Sequence, residues 1–462
     1  MKKITALLLA GLLLLSACSL QPDNRQTEGT QTDTVQTQAV TTESPSASGS
    51  TEEVTQTETA APQKEIIVWA LSYEEEIVKK HCAAFLSANP QYAETVLISV
   101  KPVRAEDLIS RMNEATDTSL EEGVLPDIEE MPDLFYFYSD DFDQLQKAGL
   151  LSRIPDKTAE NIRNNTEASA IAAAQAEEAL YAYPSGLEHT LLLYYDTSRI
   201  EEHTDFSKIA AACEEADHCF TMGSENTLFP ALIFSSFGLH YQTEIRADGK
   251  VSSVACDYYT EKGLEAAKMI RSLLSESNFL MVEGSPVITF SYDQARSAAV
   301  IADSYQTAEI KMLLGDNYAA APLPVVTTED GEIPLASPGT FILIGVAPKK
   351  DQERIAICHE LADYLNAEDK QLSRYKSEGT IPVNSKALKN RALKNDETAS
   401  ALVAQMPYVT RRVVVTDGYY SAMNSFTDKL LQGEDEMQNA KIQQLLDELS
   451  AFLMADVAKA QE

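Results

Sequence analysis

The sequence predicts an α/β body of strand–helix units around mainly parallel sheets, arranged in two lobes. Three observations predict it. Short apolar runs of strand character alternate with segments whose apolar residues fall on one helical face. The chain has 462 residues, and its body is longer than one hydrophobic core usually serves. Near Glu65 the composition changes abruptly, from a Thr/Ser/Gln-rich stretch without aromatics to the apolar run Ile66-Ile67-Val68-Trp69.

Residues 66–69 predict a buried strand. Ser72 and Glu75 follow in S-x-x-E spacing, which predicts a capping box. Ile77, Val78, Cys82, Phe85 and Leu86 share a helical face, and Asn89-Pro90 stops that helix. Residues 96–100 read as a strand, 104–113 as a helix and 134–138 as an aromatic strand. Residues 141–147 read as a short helix closed by Gly149. Further on, strands are expected at 191–195, 287–290 and 341–346, and helices at 261–274 and 353–366. Ile442, Leu445, Leu446, Leu449, Phe452, Leu453 and Val457 form the stripe of a final helix.

Composition narrows the function. Lys+Arg number 37 and Asp+Glu 71, a net charge of −34. A nucleic-acid partner needs a basic face, and electrostatic adhesion to anionic lipid needs one too. Neither is expected. Lys2 and Lys3 precede an apolar run at residues 4–15, too short to span a bilayer and suited to a signal segment. It ends in Leu15-Ser16-Ala17-Cys18, which resembles the bacterial lipobox, where cleavage precedes a cysteine that takes a diacylglycerol. This predicts a signal peptide at 1–17 and a lipidated Cys18. From there to residue 64 runs an acidic Thr/Ser/Gln tether that cannot bury enough surface to offset its ordering entropy.

Several chemistries lack their motifs. The sequence has no G-x-x-x-x-G-K-[ST] loop, no G-x-G-x-x-G after a strand and no G-x-S-x-G elbow. His81-Cys82, His218-Cys219 and Cys358-His359 come without a C-x-x-C, and read as ordinary helix residues. Cys213 and Cys219 could bridge; otherwise the thiols are small buried hydrophobes. No cofactor and no metal are expected, and no enzyme.

Four stretches carry a resemblance. They are Ile66-Ile67-Val68-Trp69-Ala70; Pro132-Asp133-Leu134 through Asp140 with the helix ending Ala148-Gly149-Leu150-Leu151; Tyr183-Pro184-Ser185-Gly186-Leu187-Glu188; and Gly379-Thr380-Ile381-Pro382. In this order, behind a lipobox, they resemble bacterial extracellular solute-binding proteins of the maltodextrin type (family 1), receptors of ABC sugar importers. The resemblance implies a two-lobed periplasmic-binding-protein-like fold (type II) that closes on a solute between its lobes. It places residues 65–187 plus 325–383 in the N-terminal lobe and 188–324 plus 384–462 in the C-terminal lobe. Crossings are expected near 186–190, 320–326 and 382–386. It implies a monomer, tethered to the outer face of the cell membrane through Cys18, that hands its solute to permease subunits.

A sugar offers an apolar ring face and a rim of hydroxyls, so its site needs aromatic plates and polar acceptors. The resemblance nominates Trp69, Tyr73, Phe137, Asp140, Glu188, Phe229, Tyr292, Tyr419 and Tyr420. Each has a structural alternative: Trp69 and Phe137 as core, Asp140 as a helix cap, Glu188 as a hinge ion pair. With one Trp in the chain, a short saccharide is expected rather than a long maltodextrin. A metal chelate or a polyamine is the alternative solute, with a ferric ion tempted by the Tyr194-Tyr195, Tyr258-Tyr259 and Tyr419-Tyr420 pairs. A glycoside hydrolase built on Asp140 and Glu188 is the remaining alternative.

Overall fold

The structure, a computed structural model, describes residues 64–116, 131–223, 228–276, 278–293, 296–432 and 438–459. The signal segment, Cys18 and the tether as far as residue 63 lie outside the described residues. Among those described, no helix is long and apolar enough to cross a membrane.

Ten strands form one sheet: β1 (Lys64–Leu71), β2 (Val96–Val103), β3 (Leu134–Tyr138), β4 (Ala182–Asp196), β5 (Cys219–Gly223), β6 (Phe279–Val282), β7 (Ser297–Asp303), β8 (Tyr318–Ala321), β9 (Ser337–Val346) and β10 (Val409–Arg411). Their order is β6-β5-β7-β4-β9-β3-β1-β2, with β8 also on β4 and β10 also on β9. Each end of the sheet is parallel: β1 with β2 and β3, β5 with β6 and β7. The middle is antiparallel, through β4 with β9, β7 and β8 and β9 with β3. The sheet is therefore mixed, because two long strands pass between the halves.

β4 makes the first passage. Its residues 182–190 pair with β9, and its residues 193–196 pair with β8. Side chains alternate along a strand. In its second half Leu192 and Tyr194 enter one core while Leu191 and Leu193 enter the other. The first core also holds Phe135, Phe137, Phe142 and Leu361; the second holds Phe206, Phe229, Phe279 and Leu446.

The first expected crossing, 186–190, is the part of β4 that ends its pairing with β9. The second is expected near 320–326. Residues 318–321 pair with the second half of β4, and Leu323, Val326 and Leu335 pack in the second core. The chain stays there through 335 and crosses at Ser337, whose Oγ accepts from the Leu191 amide at 3.0 Å. The segment 325–335 thus belongs with the second core, not the first. Ile381 bridges to Leu187 and Asn384 to Thr166, but the chain does not leave the first core at the third expected crossing: Leu393, Leu402, Met406 and Val409 still pack in it, and Tyr419 is in the second.

Local readings differ in three places. Residues 72–74 form a 3-10 turn, and Ser72 caps nothing because Glu74 begins the helix Glu75–Ala88 without a side-chain cap. Residues 286–291 are a 3-10 helix rather than a strand. Phe452 is 40% exposed, outside the buried stripe of its helix. Cys213 and Cys219 are free thiols.

Candidate functional site

Open α/β sheets bind ligands beyond the carboxyl ends of their strands. Here β1 ends beside Tyr73, β3 ends at Tyr138, and β7, parallel to β5 in the other half, ends at Asp303 before Tyr305. Between them passes β4, carrying Glu188 and His189. The candidate site is built at this meeting of two sheet ends and one crossing strand.

The register explains why Glu188 is presented there. His189 lies opposite Thr340 and Leu187 opposite Phe341, so Glu188 is the extra residue of a β-bulge. Ser185 is the extra residue of a second, between Pro184 and Gly186. Bulges re-aim side chains next to sites. Gly186 lies between the two, where the turn at Thr380 comes close: a Cβ there would meet Thr380 Cγ2 at 2.5 Å and the Ile381 carbonyl at 3.2 Å.

Glu188 accepts two phenolic hydrogen bonds. Tyr73 donates to Oε2 at 2.7 Å and Tyr138 donates to Oε1 at 3.2 Å. Burial pushes the Glu188 carboxyl up from its ordinary value, and the two hydroxyls oppose that. Burial and the carboxylate both push the Tyr73 hydroxyl up, so it stays a donor. Beside them, Thr340 donates to Asp140 at 3.1 Å, which ties the end of β3 to β9. Asp141 is half-buried next to Asp140; burial first, then that neighbouring charge, lifts it to about 7. Across the crossing strand His189 Nδ1 lies 2.9 Å from Asp303, and Arg412 lies 3.6 Å from the same carboxylate. The Tyr305 ring stands edge-on to His189, 5.9 Å away, and is 72% exposed.

The nominated residues divide. Tyr73 and Glu188 meet directly, and Asp140 is joined to the crossing strands through Thr340. Trp69 is buried in β1 with the Arg111 guanidinium 4.9 Å over its ring. Phe137 is fully buried against Phe135, and Phe229 is fully buried among Phe206 and Phe279. Neither offers a face to a solute; both are core, because each points inward from its element. Tyr419 is 5% exposed, its ring 4.6 Å from Tyr241, and both rings line a cavity away from Glu188. Tyr292 and Tyr420 are exposed. The tyrosine pairs do not gather either: Tyr194 is bonded to Thr307 and Tyr258 is stacked on Phe234. Tyr138, Thr340, His189, Asp303 and Tyr305 were not nominated. Parity gives no signal for Tyr138, since β3 is buried on both faces up to Phe137.

A cavity of about 900 Å³ lies against Lys147, Ala173, Tyr241, Pro338, Arg411 and Tyr419; Arg412 also lines it, while Tyr73, Tyr138 and Glu188 do not. Among the described residues no group of three or more His, Cys, Asp or Glu is arranged to hold a metal ion.

Comparison with solved structures places this architecture. The maltodextrin-binding protein of L. casei BL23, without ligand, superposes with a TM-score of 0.66 at 17% identity, covering 85% of this chain and 100% of that one. A cyclo/maltodextrin-binding protein complexed with maltotetraose gives 0.65 at 14%, covering 85% and 98%. The maltose-binding protein of Listeria monocytogenes in complex with maltose gives 0.63 at 13%, covering 86% and 98%. At these identities the likeness is one of fold, the two-lobed architecture expected from the sequence. No curated protein matches the chain in sequence. The family model described as bacterial extracellular solute-binding protein matches residues 83–401. The chain belongs to that family.

Proposed function

We propose that this protein is the capturing receptor of an ABC importer and takes a short saccharide at Glu188. The observation that carries the reading is the bulged Glu188 on the first crossing strand, held by Tyr73 and Tyr138 at the sheet ends. A group on the crossing strand can touch a solute and the hinge together. The solute's higher affinity for the closed arrangement then drives closure. The maltodextrin, maltose and acarbose complexes among proteins of this fold support a saccharide. The protein binds and releases its solute unchanged and acts as a monomer beside its permease.

We also propose that Cys18 carries the lipid that holds the receptor at the outer face of the membrane. Each buried CH₂ of an acyl chain adds ~0.8 kcal/mol, so two or more chains hold firmly. The Lys2-Lys3 start, the short apolar run and the small residues before Cys18 support this.

The test is titration of the full chain in mild detergent with maltotriose and other short saccharides. Trp69 fluorescence and melting temperature are the readouts. Binding raises stability by RT ln(1 + [L]/Kd). Saturable binding that Tyr73→Phe weakens supports the reading; silence across the panel overturns it. Cys18→Ala releasing the protein from membranes tests the anchor.

A further inference from the structure

We propose that the solute held at Glu188 carries a protonated amine, so that the captured molecule is an amino-bearing saccharide rather than a neutral one. The inference rests on the saccharide reading above and names the class within it.

The charges of the site are unbalanced. Ion pairs couple Glu74 to Arg374, Asp133 to Arg354, Asp143 to Arg411, and Asp303 to His189 and Arg412. Among the described residues no ion pair reaches Glu188, Asp140 or Asp141. The hydrogen bonds that Glu188 and Asp140 receive come from hydroxyls: Tyr73 and Tyr138 on the one, Ser139 and Thr340 on the other. The guanidinium that bonds Ser185, three residues before Glu188, is that of Arg374, and Glu74 takes it up.

Closure on a neutral solute would withdraw these carboxylates from water with no cation beside them except the His189 imidazole, which Asp303 already engages, and that is costly. An ammonium group supplies the missing charge and donates to the lone pairs that Tyr73 and Tyr138 leave open on the two Glu188 oxygens. The aromatic surroundings suit the same group. Tyr73 is 44% exposed and Tyr305 72%, and phenol faces attract cations. A neutral sugar needs donors as well as acceptors around its rim, yet the two phenols beside Glu188, Tyr73 and Tyr138, are already committed to it.

The experiment is calorimetry on the full chain in mild detergent with four probes: a glucosamine trimer with free amines, its N-acetylated counterpart, maltotriose and spermidine. The free-amine trimer should bind at least tenfold more tightly than either neutral trimer at low salt. That advantage should shrink at high salt, because exposed charge attraction is screened. Glu188→Gln should remove most of it, and Tyr73→Phe serves if Glu188→Gln does not fold. Equal or tighter binding of a neutral trimer overturns the amine and leaves the saccharide reading intact. Binding of spermidine alone overturns the saccharide reading and this inference with it. Silence from all four probes overturns both.

Discussion

Glu74 and Arg374 form a 2.7 Å ion pair with both side chains fully withdrawn from solvent. Thr380 donates to the same Glu74 at 2.9 Å, and Arg374 donates to the Ser185 carbonyl at 3.0 Å. One guanidinium therefore fastens the segment that carries Tyr73 to the bulge three residues before Glu188. Removing one member of a buried pair leaves the other charge uncompensated, which costs about 3–5 kcal/mol. Arg374→Met should lose about that much in urea unfolding. Adding Glu74→Gln should recover part of the loss. Arg374→Lys keeps the charge without the fork geometry, and its expected signature is a weaker solute affinity in a protein that still folds.

Gly186 is expected to tolerate no larger residue. Its backbone angle is not the reason; the close approach of the Thr380 turn is. Gly186→Ala should destabilise the protein by about 1–3 kcal/mol, the usual range for overpacking. Thr380→Ser, which deletes the Cγ2 methyl that the new Cβ meets, should rescue it in the same denaturation experiment.

The parts of the fold that were legible in the sequence are those set by local periodicity. The helix Glu261–Leu274 was read residue for residue, and Asn89-Pro90 ended its helix where expected. Glu188, Tyr73 and Asp140 were reached through resemblance and lie at the sheet ends. What stayed hidden depends on pairing between distant segments. The bulge at Glu188 exists in the register of β4 against β9, and Thr340 reaches Asp140 across 200 residues of sequence. Phe137 stays open between core and solute contact in the sequence because all five residues of β3 are aromatic or aliphatic, and alternation then gives no sign of which face is buried. The capping box at Ser72 failed for a related reason: Glu74, inside it, is drawn to a distant arginine.

Asp141 should leave a mark on the pH dependence of stability. Burial and the charge of Asp140 lift its folded value to about 7, above the ordinary 3.8. Between pH 4 and 7 the folded protein then binds a proton that the unfolded chain has lost. Unfolding free energy therefore falls as pH rises through that window. Asp141→Asn should flatten this part of the profile in urea melts taken at several pH values. A profile identical to the parent's would assign the slope to other groups.

Phe229 and Tyr73 should respond in opposite ways, and the comparison separates core from site. Phe229 is fully buried against Phe206 and Phe279, with ring centroids 5.7 and 5.1 Å away. Phe229→Ala opens a cavity in the second core and should cost about 3–5 kcal/mol. Measured well below the variant's melting temperature, solute affinity should stay within about twofold of the parent, since the ring has no face on the groove. Tyr73→Phe removes one hydroxyl from a half-exposed contact that water can replace, so stability should change by about 1 kcal/mol or less. Its affinity should fall several-fold, because Glu188 loses the shorter of the two hydrogen bonds that fix its carboxylate. An affinity loss in Phe229→Ala comparable to that in Tyr73→Phe would return Phe229 to the solute's side of the fold.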